Sequence, residues 1–251
     1  TISNLTQVPT LNINTNSGDT TFGFKDSAIT SATDDLVINL DGAETASTLT
    51  LTVAQGSGSE TIETVSFVSG SVANTITTFS SADVGTTKLE ITGDTNLTIA
   101  NTVDPEITEV AADAFTGDLT ITVTAADTGN ATIESGSGSD FITSLGGGAD
   151  SIVTNSGDDT VLSAAGADTI LGGAGADSLN AAGGDNYIDS GAGADEVIAT
   201  TGDDEILAGT GDDTVSAGAG NDSIIGGAGS DSLNAATGND TVDAGTGDDT
   251  V

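Results

Sequence analysis

A nine-residue period across the second half of the chain constrains its fold more than any other feature. An acid or its amide recurs at Asp140, Asp150, Asp159, Asp168, Asp177, Asn186, Asp195, Asp204, Asp213, Asp222, Asp231, Asp240 and Asp249, and every step after Asp150 is nine residues. Two residues before each anchor stands Gly, from Gly138 and Gly148 onward; two after each stands Ile, Val or Leu, from Ile142 to Val251. A unit this short cannot bury its apolar residue alone, so successive units must stack. Gly129-Asn130-Ala131-Thr132-Ile133 shares the phase but lacks the acid, and is expected to cap or enter the stack.

The repeat divides the chain. Residues 127–251 hold 26 of the 35 glycines and no basic residue, whereas residues 1–126 hold both lysines, Lys25 and Lys88. A boundary near Asp127 is therefore expected, with a Thr/Val-rich β domain at 1–126 and the repeat domain at 127–251. In the first, apolar residues alternate with Thr, as in Leu49-Thr50-Leu51-Thr52-Val53, Leu97-Thr98-Ile99 and Leu119-Thr120-Ile121-Thr122-Val123. That is the period of strands. Leu97/Ile99 and Leu119/Ile121 lie 22 residues apart, which suits a solenoid coil, but the earlier spacing is ragged and leaves a β-sandwich as the alternative for this half. The fold class is all-β.

Charge narrows the partners. Thirty-nine acids face two basic residues, a formal charge of −37. Nucleic acid and anionic membranes both need Lys or Arg at the interface, so neither is expected, and divalent cations are the natural counter-ions. With no Cys and no His, disulfides, Ser-His-Asp and Cys-His nucleophiles and His-zinc centres are all unavailable. Neither His-Glu-x-x-His nor Gly-x-Ser-x-Gly occurs, and the chain is read as non-enzymatic. No apolar run is long enough for a membrane helix. Starting without Met and stopping at Val251 in mid-repeat, the sequence reads as an excerpt of something longer.

Gly172-Gly173-Ala174-Gly175-Ala176-Asp177-Ser178-Leu179-Asn180 resembles the RTX nonapeptide repeat, Gly-Gly-x-Gly-x-Asp-x-apolar-x. The resemblance implies a right-handed parallel β-roll in which two nonads make one coil and several Ca²⁺ ions sit between successive turns. Anchors 18 residues apart then stack at about 4.8 Å, where like charges cost roughly 3 kcal/mol per pair at an effective dielectric near 20. Ca²⁺ between them reverses that sign, since it takes six to eight hard oxygens, carboxylate or carbonyl.

The two edges are expected to differ. On the row Asp159, Asp177, Asp195, Asp213, Asp231, Asp249, the residue four before the anchor is Asn155, Gly173, Gly191, Gly209, Gly227, Gly245, and the residue two before is Gly157, Gly175, Gly193, Gly211, Gly229, Gly247. On the other row, Asp150, Asp168, Asn186, Asp204, Asp222, Asp240, the fourth residue back is Gly146, Ala164, Ala182, Thr200, Gly218, Ala236. Side chains other than Gly resist φ > 0. The first row is therefore expected to hold five well-formed sites through its Asp and Gly residues, and the second weaker ones, worst at Asn186. Asp140 is a further candidate ligand. The acids just before the anchors, such as Asp158, Asp185, Asp203 and Asp212, are expected to be solvated surface.

The rank Ser156, Ala174, Ala192, Thr210, Ala228, Thr246 is too irregular to match ice. Gly93-Asp94-Thr95-Asn96-Leu97-Thr98-Ile99 and Phe115-Thr116-Gly117-Asp118-Leu119-Thr120, feeding into the roll, look like the RTX-type surface-layer proteins of Caulobacter-like bacteria. That likeness implies a type I-secreted, self-assembling subunit on the cell surface, with other copies of itself and a cell-surface glycan as partners. An RTX adhesin or extracellular filament protein, with the roll as stalk or secretion-folding module, is the alternative. Outward positions Val153, Leu171, Asp189, Leu207, Ile225 and Asp243 are expected to form a partly apolar stripe on one face.

Overall fold

The computed structural model describes residues 62–81, 86–125 and 129–251, together with the backbone of the strands Ile2–Leu5, Thr10–Ile13, Gly18–Phe24, Asp35–Asp41 and Leu49–Ala54 and the side chains of 36–40. Strands alternate between two 12-stranded sheets, and every pairing is parallel to the strand two elements away. A sheet of this kind needs a crossover between paired strands; here each crossover is the strand of the opposite sheet. The result is a β-solenoid, so the β-sandwich alternative does not hold for the first half.

Leu97 stands beside Leu119 and Ile76 beside Ile99. Ser66 and Glu90 are neighbours 24 residues apart, Asn96 and Asp118 are 22 apart, Asp140 and Asp159 are 19 apart, and from there the step is 18. The ragged spacing of the first half is thus variation in loop length between strands that still pair in parallel, with register shifts at Ile2/Leu5, Leu49/Thr50 and Thr120/Thr122. Asp127 lies outside the described residues, but the sheets continue on either side of it: Leu119–Val123 pairs with Phe141–Ser144, and Glu109–Ala111 pairs with Thr132–Glu134. The unit at 129–133 enters the stack instead of capping it, since Ile133 lies between Val110 and Ile152.

Coil length decides what fills the interior. The long coils enclose Phe67, Phe79 and Phe115, all fully buried, with the first two edge-to-face at 5.3 Å between ring centroids. The 18-residue coils have room for one branched residue and one small one per strand. Ile170, Leu179, Ile188, Val197 and Ile206 are buried, and two residues on stand Gly172, Ala181, Ser190, Ala199 and Ala208, buried as well. Burial energy scales with apolar area, so the repeat half gains much less from its core than the first half does.

Phe67→Ala should therefore cost about 3–5 kcal/mol, the usual range for emptying a buried aromatic site. Thermal unfolding in saturating calcium would show it as a lower midpoint for the first half. A loss under about 1 kcal/mol would mean that this core is not what holds those coils.

Candidate metal centres

Each anchor side chain turns inward and joins its coil to the preceding one. On the first edge, the backbone N–H of Asp140 donates to Asp159 Oδ1 at 2.7 Å, that of Asp159 to Asp177 Oδ1 at 2.9 Å, and the series continues through Asp195, Asp213 and Asp231 to Asp249. Asp140 thus belongs to the first row despite the ten-residue step that follows it. Seven anchors give six intervals, one more than the five expected from the spacing. On the second edge the same bonds run from Asp150 through Asp168, Asn186, Asp204 and Asp222 to Asp240, making five intervals.

One carboxylate oxygen is thereby satisfied and the other is not. Oδ2 of Asp140, Asp159, Asp177, Asp195, Asp213 and Asp231 is buried without a hydrogen-bond partner, as it is in Asp204 and Asp222 on the second edge. These residues are 1–2% exposed. A buried carboxylate oxygen facing no donor is costly, and residues 127–251 contain no Lys or Arg to face it.

What surrounds these atoms is oxygen. A Cβ on Gly172 would lie 2.5 Å from Asp177 Oδ2 and 2.7 Å from the Ser190 carbonyl oxygen, and one on Gly226 would lie 2.7 Å from Asp231 Oδ2 and 2.5 Å from the Ala244 carbonyl. Asn186 supplies the sharpest comparison. Its Oδ1 accepts the N–H of Asp168 as an aspartate would, and its Nδ2 donates to the Gly184 carbonyl at 2.8 Å. An aspartate held in the same way would set oxygen against oxygen there, an arrangement that is stable only with a cation between them. Among the described residues no three acidic side chains converge; an oxygen site here must draw on two carboxylates and on backbone carbonyls. That donor set suits Ca²⁺, which accepts both in flexible numbers.

Turn geometry separates the edges. Four residues before each first-row anchor from Asp159 onward, φ is positive without exception, from Asn155 at 65° to Gly227 at 105°. On the second row Gly218 (104°) and Ala236 (63°) share this, whereas Ala164, Ala182 and Thr200 do not. Ala236 departs from the expectation that Ala resists this region. Gly146, before Asp150, lacks positive φ as well, so the early turns of that row share another shape whether or not a side chain is present.

Burial also shifts the carboxyls. Desolvation pushes Asp177 up to about 7 and Asp159 and Asp213 up to about 6, and it raises Asp140, Asp168, Asp195 and Asp204 as well. Repulsion between stacked neighbours adds to this for Asp159, Asp177 and Asp213. Because the folded value lies above the unfolded value of 3.8, protonation favours the folded state: that contribution is complete below about pH 4 and lost as pH rises through 6–7. In excess chelator, acidification from pH 8 to pH 5 should therefore restore β-structure, read by circular dichroism. Loss of structure over that interval would contradict the sign.

The residues just before the anchors were expected to be plain solvated surface. They are exposed, yet they form an outer ladder running the other way. Asp158 Oδ1 accepts the N–H of Ala176, Asp185 that of Asp203, Asp203 that of Asn221, Asn221 that of Asn239, and Asp212 that of Ser230. Turns such as Asp158-Asp159 and Asp203-Asp204 thus send the anchor amide to the next coil and the amide before it to the previous one. Recurrence of Asp or Asn at that position every 18 residues from Asp185 through Asp203 and Asn221 to Asn239 was the available signal.

A parallel solenoid with two edges of inward carboxylates, eight of which hold an orphaned oxygen, is a calcium-binding β-roll. The chain belongs to the family of the RTX calcium-binding nonapeptide repeat, whose four-copy pattern matches residues 126–161, 144–170, 162–197, 189–224, 198–233 and 216–251, together the second half of the chain. No curated protein and no solved structure matches it. The repeats bind Ca²⁺, and proteins that carry them are typically exported by type I secretion, with the repeat in a structural or binding role. We propose as ligands the first-row aspartates with the carbonyls of Gly173, Gly175, Gly191, Gly193, Gly209, Gly211, Gly227, Gly229, Gly245 and Gly247. When bound, the ion supplies positive charge between like-charged side chains; the chain's own residues orient it by fixing Oδ1 and leaving Oδ2 free.

Proposed function

We propose that this chain is part of a calcium-dependent, self-assembling surface layer of a bacterium, secreted with its repeat half unfolded and set by the calcium it meets outside the cell. Free calcium inside is too low to fill the stacked sites, and millimolar calcium outside drives them by mass action. The observation that carries the lateral part of this reading is an outward rank in strict register: Val153, Leu171, Asp189, Leu207, Ile225 and Asp243 stand side by side on one sheet. Ile225 is 44% exposed and Val153, Leu171 and Leu207 are half-buried. A partly apolar rank on a flat sheet face is best covered by a second copy, and at a charge of −37 copies can approach only with cations bound. A cell-surface glycan is the proposed anchor.

Electron microscopy with and without calcium tests the reading. Ordered two-dimensional sheets that disperse on chelation support it. Isolated rods at every calcium concentration overturn it in favour of an adhesin stalk, and filaments in favour of an extracellular matrix protein.

A further inference from the structure

We infer that on the second edge the protein's own donors stand where cations would otherwise sit, at Asp150, Asp168 and Asn186, so that calcium on this edge is confined to the coils from Asp204 onward. The inference rests on the calcium reading of the roll and specifies where its ions go. Ser144 Oγ donates to Asp150 Oδ2 at 2.5 Å and Ser163 Oγ to Asp168 Oδ2 at 2.7 Å. Asn186 Nδ2 bridges the Gly184 carbonyl at 2.8 Å and Asp204 Oδ1 at 2.9 Å. All three anchors are 2–3% exposed and have no orphaned side-chain atom. On the first edge the hydroxyls of Thr154 and Ser190 bond the Gly172 and Ala208 carbonyls, each at 2.8 Å; with Ser135 they lie near enough to Asp159, Asp195 and Asp140 to hold those carboxyls down, yet every buried anchor there keeps a bare Oδ2.

Backbone geometry divides the edge in nearly the same place. Ala164, Ala182 and Thr200 precede Asp168, Asn186 and Asp204 without positive φ, whereas Gly218 and Ala236, before Asp222 and Asp240, adopt the turn seen along the first edge. Side-chain hydrogen bonding and turn shape are separate observations, and both set the early coils of this edge apart from the late ones. An amide is isosteric with a carboxylate but carries its own protons. At Asn186 those protons take the two oxygens that a cation would bind, and the serine hydroxyls do the same with one proton each.

The count of ions follows. Six intervals on the first edge and two on the second, Asp204 to Asp222 and Asp222 to Asp240, give eight; equal edges would give eleven, with the further three at Asp150 to Asp168, Asp168 to Asn186 and Asn186 to Asp204. Native mass spectrometry of the full chain at saturating calcium reads this number directly. Eight ions are expected; eleven would overturn the inference while leaving the calcium reading in place, and none would overturn the calcium reading itself. Asn186→Asp should raise the count by one or two. If that variant binds no more calcium than the parent, the amide is not what keeps the ion out.

Discussion

Removing calcium should unfold the chain from Asp140 onward while leaving the preceding coils standing. Eleven stacked anchor intervals are held by the bonds described above. Nine of them set Asp directly on Asp, the two at Asn186 being excepted. At roughly 3 kcal/mol each with an effective dielectric near 20, ionised and uncompensated rows cost well over the 5–15 kcal/mol by which a domain is normally stable. Protonation relieves part of this near neutral pH and little of it at pH 8.

The earlier coils escape because the same slot is filled differently. Leu119 donates its N–H to Asp140 Oδ1, so it occupies the anchor position one coil earlier, and Leu97 and Asn74 continue the row before it. Both leucines are fully buried. At Asp140 the row changes from aliphatic to acidic, and with it the source of stability changes from burial to metal. At pH 8, circular dichroism in chelator should lose much of its β signal. Limited proteolysis should leave a resistant fragment containing residues 62–125. An unchanged spectrum, or digestion of both halves together, would contradict this division.

The second large effect is steric. Gly211→Val should destabilise the calcium-loaded roll by about 2–5 kcal/mol: about 1–2 for a left-handed φ and about 1–3 for forcing packed groups apart. Gly211 has φ +131°, and a Cβ there would come 1.7 Å from the Gly193 carbonyl oxygen, a backbone atom that cannot rotate away. Displacing Gly211 to relieve that clash breaks the bond from its N–H to the Ala228 carbonyl, 2.8 Å long. Gly183→Ala is the matched control. It meets only the Thr201 hydroxyl, the end of a flexible side chain, and has no left-handed φ; its cost should stay under about 1 kcal/mol. Calcium titrations followed by circular dichroism would separate the two, and equal midpoints would show that turn geometry is not limiting.

These predictions draw on features of unequal visibility in the sequence. The nine-residue period located every inward aspartate and the branched residue two beyond it, because a strict repeat leaves only one register in which both are buried. The 22-residue interval between Leu97 and Leu119 likewise marked true neighbours. Asp140 was harder to place: its coil carries one extra residue, so spacing alone separated it from a row that it in fact begins. The hydroxyls of Ser144 and Ser163 could not be read at all. Serine at that inward position resembles the alanines and glycine of other coils in size, and whether it donates to a carboxylate or, as Ser190 does, to a carbonyl depends on the turn beside it.

The central claim concerns Oδ2 of the first row, and anomalous diffraction from calcium-grown crystals addresses it atom by atom. A line of calcium peaks is expected from Asp140 to Asp249, spaced at about 4.8 Å like the strands themselves, each within about 2.3–2.6 Å of an aspartate oxygen. Intact rows of buried aspartates with no such peaks between them would contradict it.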